Sequence, residues 1–194
     1  LAGNKQAEIM AAAVRLFHER GFHATSMQEI ADAVGLQKGS LYHYIGGKED
    51  LLTVIMMEVI ARYNRKLAEI RAMRLPVRQR LELAVREHLI GIADNLAMLT
   101  IFLRESYALG PEQQELLGAE MTRYNTMFEE LYLEGVAAGE LRPLDPKLVG
   151  RTVLGACNWL YRWYRPDGGR SLDDLAASVV DILLGGIAAG PSAC

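Results

Sequence analysis

The chain has only two cysteines, Cys157 and Cys194, separated by most of a domain, so a disulfide framework is excluded. Its four histidines, His18, His23, His43 and His88, are scattered. No His-x-x-x-His, Cys-x-x-Cys or phosphate-cradling glycine loop exists, and no metal site is expected. Ser106 and Ser171 have no evident base partner, which argues against nucleophilic catalysis. Long apolar runs are missing too, because Asp94, Arg104, Arg151 and Asp181 interrupt the best candidates, so no membrane span is expected. No signal-peptide pattern is present: the opening LAGNKQAEIM runs straight into an amphipathic helix, and the expected location is cytoplasmic. Nor is there a cationic surplus, since the net charge is −3, which counts against a protein that coats DNA regardless of sequence.

What is present is the composition of a globule, 51% hydrophobic and 23% charged, patterned almost entirely at helical spacing. Strand-like alternation is absent, and Pro76, Pro111, Pro143, Pro146 and Pro166 fall at the edges of periodic segments. The pattern predicts an all-α fold, with helices after the first 47 residues at roughly 48–73, 76–94, 95–108, 111–139, 146–165 and 171–188. A division is expected near residue 50, into residues 1–50 and 51–194, with the helix that begins near Lys48 as the mechanical link.

The stretch from Thr25 to Leu51 carries the function. Ser26 with Glu29 forms a capping-box pattern, and Met27, Ile30, Ala31 and Val34 give the following helix an inward stripe. Gly35 permits a sharp turn and Leu36 fills the angle. From Gln37 onward, Leu41 and Ile45 are spaced for burial. Gln37, Lys38, Gly39, Ser40, Tyr42, His43 and Tyr44 are left as a face of donors and flat rings. This is a helix-turn-helix whose second helix reads DNA. Gln37, Lys38, Ser40 and Tyr42 are the candidates for base edges, with Gly39 allowing close backbone approach. His43, Tyr44 and Lys48 are candidates for phosphates, aided by N–H groups at helix starts, one of them headed by Thr25 and Ser26. That aid matters. Over residues 1–48, Lys5, Arg15, Arg20, Lys38 and Lys48 outnumber Glu8, Glu19, Glu29 and Asp32 by one.

An ordered set of residues, Phe17, Gly21, Phe22, Thr25, Ser26, Ile30, Ala31, Gly35, Leu36, Leu41, Tyr42, Tyr44, Lys48, Glu49 and Leu51, resembles the signature of the TetR family of transcriptional regulators across about residues 8–55. Two positions depart from it. Ile45 replaces the usual Phe, an apolar change that keeps the core anchored, and Gly47 replaces a Ser or Thr cap at a cost of a few tenths of a kcal/mol. The resemblance implies a homodimer on a double-stranded, palindromic operator.

The last two helices mix small residues with a broad apolar stripe that includes Val153, Leu154, Leu172, Leu175, Val179, Ile182, Leu183 and Gly186. They are either a protomer's own core or, as the resemblance implies, a four-helix dimer interface. Ser171 and Asp174 offer a second capping box. The middle helices hold Met98, Phe102, Leu103, Tyr107, Met121, Tyr124, Asn125 and Phe128, an apolar set with polar tips that is plain core or a ligand pocket. Beside it, the run 158–165 brings Asn158, Trp159, Arg162, Trp163 and Arg165 to one helical stretch, chemistry suited to an anionic ligand with an apolar tail. A cation–π or solvated role for Arg162 competes.

This run is similar to the C-terminal half of TetR-type regulators of fatty-acid, steroid and aromatic-acid degradation, several of which respond to acyl-CoA thioesters. The similarity implies a small hydrophobic or acyl-CoA effector and no cofactor. The expected function is a ligand-relieved repressor. The rival readings are an acyl-CoA-processing or other small-molecule enzyme and a non-specific architectural DNA-binding protein.

Overall fold

The computed structural model describes residues 2–105, 107, 109–165, 168, 169 and 171–185, with side chains from residue 5 onward. Ten α-helices account for most of these residues, and no strand occurs among them. In chain order they are α1 (Ala2–Arg20), α2 (Met27–Ala33), α3 (Lys38–Leu41), α4 (Lys48–Arg71) and α5 (Val77–Asp94). These are followed by α6 (Leu96–Glu105), α7 (Pro111–Ala137), α8 (Pro146–Asn158), α9 (Leu160–Trp163) and α10 (Leu172–Gly185). The contacts divide the chain into two compact units. The first comprises residues 1–64 and 95–123, the second residues 65–94 and 124–194, so α4 and α7 each contribute to both.

In the first unit α1 packs against α2 and α6, and α2 against α3. Ile9, Ala13, Leu16 and Phe17 of α1 are buried, as are Ile30, Ala31, Leu41, Leu52 and Ile55. Phe17 and Phe22 meet edge to face at 5.2 Å. The turn after α2 is a Schellman motif: Leu36 N–H donates to the Ala31 carbonyl at 2.9 Å and Gly35 N–H to that of Asp32 at 3.2 Å. Gly35 stands at φ +65°, a conformation that costs an L side chain roughly 1–2 kcal/mol.

In the second unit α5 packs against α8, α9 and α10. Its buried stripe is Val77, Leu81, Ala84, Val85, His88, Leu89 and Ile92, which includes one polar residue. Phe128, Leu131, Val153, Leu154, Cys157, Leu160 and Leu175 are also buried. Arg71 pairs with Glu130 at 2.7 Å and Glu134 at 3.2 Å, while Arg80 pairs with Glu134 at 2.9 Å. Tyr132 holds the loop before α8 by donating to the Arg142 carbonyl and accepting from Leu144 N–H.

Two helices depart from the sequence expectation. The single helix expected over 146–165 is interrupted at Trp159, beyond which Arg162 N–H reaches back only three residues to the Trp159 carbonyl, a 3₁₀-like tightening. Helix then ends at Tyr164 (ψ 137°), just ahead of Arg165, whose α conformation is disfavoured by Pro166. The reader helix is shorter than its apolar spacing implies. After Leu41 the chain continues in three-residue turns, His43 N–H to Ser40 and Tyr44 N–H to Leu41. Gly39, Ser40 and the pair Gly46–Gly47 are poor helix formers, so burial of Leu41 and Ile45 has to hold this segment in place.

Candidate DNA-reading surface and buried polar cluster

The expected capping box forms in full. Glu29 N–H donates to Ser26 Oγ at 3.2 Å, and Ser26 N–H and Oγ–H both donate to Glu29 Oε2 at 2.8 Å. These bonds, chiefly that from the Ser26 backbone, lower the Glu29 carboxyl below the usual range. Arg20 adds a 2.6 Å pair to the same carboxylate and ties α1 to α2. At the other end of α2, Lys5 Nζ donates to the Val34 carbonyl at 2.8 Å. Neither long-range contact was evident from local spacing.

The reader segment presents Gln37, Lys38, Gly39, Tyr42, His43 and Tyr44 to solvent, with Ser40 half-buried. Tyr42 is 44% exposed and Tyr44 38%, unusual for rings in so small a unit and well suited to contact with a duplex. Thr25 and Lys48 lie differently. Thr25 is buried, and its hydroxyl donates to the carbonyls of Gly21 (2.9 Å) and Leu16 (3.3 Å). Lys48 Nζ donates to three carbonyls, Phe22 at 2.9 Å, Thr25 at 3.1 Å and His23 at 3.4 Å, and sits 4.6 Å over the Phe22 ring. An ammonium has three hydrogens, and here all three serve the loop joining α1 to α2. His23 also approaches Glu105 at the end of α6, at 3.8 Å.

Of the residues expected to bind an effector, Met98, Phe102, Leu103, Tyr107 and Met121 belong to the first unit. Phe102 is buried, Met98 and Leu103 half-buried, Met121 exposed and Tyr107 73% exposed. The others belong to the second unit. There Tyr124 and Phe128 are buried, Asn125 is exposed and Asn158 half-buried. Trp159, Arg162, Trp163 and Arg165 are exposed. Arg162 lies 5.8 Å from the Trp159 ring and 6.0 Å from that of Tyr161, a cation–π arrangement, and neither Arg162 nor Arg165 has an ion pair among the described residues.

Tyr124 and Asn158 are joined by a residue that local spacing does not single out. His88 Nδ1 lies 2.8 Å from Tyr124 Oη, Nε2 lies 3.0 Å from Asn158 Oδ1, and the His88 and Tyr124 rings stack at 5.6 Å. Burial pushes the imidazole down to about 4, only partly offset by Asn158, so His88 is neutral near pH 7. Its one sequence signal was its place in the apolar stripe of α5.

Val153, Leu154 and Leu175 are buried within the protomer, Leu172, Val179 and Leu183 are half-buried, and Ile182 is 52% exposed. Gly186, like Ser106 and Cys194, lies outside the described residues. Cys157 is free and buried, with its thiol raised to about 12 by desolvation and therefore inert. Between α5 and α10 lies a cavity of about 460 Å³ bordered by Arg78, Glu82 and Arg86. Arg78 pairs with Glu82 and Arg86 with Asp173, so these guanidiniums are already neutralised. No described helix is long and apolar enough to cross a membrane.

Comparison with known proteins identifies both parts of the chain. Residues 9–55 match the family described as bacterial regulatory proteins, tetR family, and residues 74–187 match the Tetracyclin repressor-like, C-terminal domain. The chain is 32% identical over 189 residues to the HTH-type transcriptional repressor KstR2 of Rhodococcus jostii, covering 95% of this chain and 91% of that protein. The TetR family regulator PfmR of Thermus thermophilus superposes with a TM-score of 0.87 at 30% identity, covering 93% of this chain and 99% of the other. AibR in complex with isovaleryl coenzyme A and operator DNA gives 0.84 at 30% identity, with 93% and 98% covered. These relatives are transcriptional regulators rather than enzymes. With its two segments matched and its relatives aligned over nearly their full length, the chain belongs to the TetR family of transcriptional regulators.

Proposed function

We propose that this regulator is a cytoplasmic repressor that binds a palindromic operator as a dimer and is released by a CoA thioester. The observation that carries the effector class is the exposed surface of Trp159, Arg162 and Trp163, where a guanidinium with no carboxylate partner among the described residues lies beside the Trp159 indole and the Tyr161 ring. Guanidinium pairs bidentately with phosphate and stacks on a planar base, the two features that distinguish a CoA head from a simple acid. Arg165 adds a second cation, and Tyr124 and Phe128 of α7, in the same unit, supply apolar side chains for an acyl chain. The isovaleryl coenzyme A held by AibR supports the same class.

In this reading residues 1–50 read DNA and 51–194 bind effector and partner. Gln37, Lys38, Ser40 and Tyr42 meet base edges, and His43, Tyr44 and the N–H groups near Ser26 meet phosphates. Thr25 and Lys48 act by holding the loop that orients α2. The isologous surface centres on the exposed part of the α8 and α10 stripe, chiefly Ile182 with half-buried Leu172, Val179 and Leu183, and Leu148 extends it. Effector binding shifts α4 and changes the spacing of the two reader segments. Coupling equals the effector's differential affinity for the two states. Gel-shift titration with CoA thioesters of graded chain length should release operator; unchanged operator affinity at calorimetrically confirmed occupancy would rule out relief. Tyr42→Ala should relax operator selectivity by about 1–3 kcal/mol per affected base pair, measured against single-base operator variants.

A further inference from the structure

We infer that His88 is the hub of a carbonyl-reading subsite, in which it holds the Asn158 side-chain amide so that Nδ2–H donates to the acyl carbonyl oxygen of the effector thioester. This deepens the function proposed above and rests on it. Three observations converge on the assignment. His88 lies on the buried stripe of α5, yet both its ring nitrogens are committed across the unit, one to α7 and the other to the last residue of α8. The cluster grades from buried Tyr124 and His88 to half-buried Asn158, so the amide is its accessible end. Asn158 is also the residue at which α8 gives way to α9, immediately before the indole and guanidinium surface assigned to the CoA head.

The hydrogen-bond arithmetic sets the polarity. A neutral imidazole has one donor and one acceptor nitrogen. With Nε2–H donating to Asn158 Oδ1, Nδ1 accepts from the Tyr124 hydroxyl, and the Asn158 Nδ2 hydrogens are turned away from the ring as a donor pair. Burial keeps the imidazole uncharged, so the cluster offers dipoles and no cation. Dipolar donors in a desolvated setting match a carbonyl oxygen, whereas a carboxylate placed there would lose hydration without gaining a counter-charge. The cluster therefore selects a thioester over the corresponding free acid. His88 is a positioning residue: it touches the ligand only through Asn158.

The test uses the full-length protein and two probes, isovaleryl-CoA and its thioether counterpart S-(3-methylbutyl)-CoA, which has CH₂ in place of the acyl carbonyl. All other contacts of the two probes are shared, so the ratio of their dissociation constants isolates the carbonyl. Wild-type protein should favour the thioester by about five- to tenfold, the range of one well-placed neutral hydrogen bond. His88→Phe and Asn158→Leu should bring the ratio to about one, and His88→Gln, which keeps a donor and an acceptor, should restore part of it. A purely structural role would weaken both probes equally and leave the ratio unchanged. If His88→Phe does not fold, Asn158→Leu at its half-exposed helix end decides the matter alone. Equal affinity of wild type for both probes, or a preference that survives both apolar substitutions, overturns the inference while leaving CoA-thioester regulation standing. Binding of neither probe by wild type overturns both.

Discussion

The two polar clusters of this protein use hydrogen bonds in opposite ways. Around the reader segment, Thr25 and Lys48 spend their donors on main-chain carbonyls of one short loop, leaving Tyr42, His43 and Tyr44 outside. In the second unit, His88 spends both ring nitrogens on side chains from two other helices and leaves nothing charged. The first arrangement fixes backbone shape and leaves side chains facing solvent. The second fixes side-chain orientation inside a low-dielectric setting, where an unpaired group costs more than a pair gains. Under the proposed assignment, the reader's side chains remain hydrated while the carbonyl-reading end of the second cluster is desolvated, and the contrast fits those two roles.

The largest test of this comparison is a deletion in the second unit. Phe128 is fully buried, and Phe128→Ala should lower stability by about 3–5 kcal/mol in chemical denaturation. Acid should come next. The folded-state His88 imidazole sits near 4 and the unfolded one near 6.5, so below pH 6.5 the unfolded chain takes up a proton that the folded chain refuses. The stability contributed by neutral His88 is complete above pH 6.5 and is lost as pH falls toward 4, by about 3 kcal/mol in all. Denaturant titrations across that window should show the slope in wild type and a shallower slope in His88→Gln; parallel slopes would contradict the buried, neutral assignment.

Smaller effects belong to the reader. Gly35→Ala places a side chain at φ +65° and should cost about 1–2 kcal/mol, seen as weaker operator binding with effector affinity unchanged. Ser26→Ala removes the α2 cap and should cost about 1 kcal/mol, detectable as faster amide exchange in the first turn of α2. If either reader change altered effector affinity as much as operator affinity, the separation between the two clusters would fail.

What could be read from the chain in advance was mostly local. The Ser26–Glu29 box, the Gly35 turn, the Asp174 N–H to Ser171 Oγ bond at 3.1 Å that begins α10, and the buried stripe of α2 all join residues within about one or two helical turns, where sequence spacing and spatial distance are nearly the same thing. Lys48 reads as a phosphate contact because no carboxylate stands three or four positions from it, Glu49 and Asp50 being adjacent in sequence and facing elsewhere on the helix. Its acceptors are carbonyls 23 to 26 residues away, and every residue carries a carbonyl, so composition gave no cue. His88 was hidden for a related reason, since its partners stand 36 and 70 residues away on other helices.

By itself, then, the sequence determined that the protein is helical, where the Ser26 and Ser171 caps and the Gly35 turn fall, and, Ser40 apart, which side chains of the reader segment face outward, because those features depend on periodicity and neighbours three or four residues apart. Tertiary structure alone decided that Lys48 grips a loop, that the helix expected over 146–165 breaks at Trp159, and that a neutral histidine joins Tyr124 to Asn158. Such outcomes depend on which distant groups folding brings within about 3 Å, and on how little water is left to compete for them.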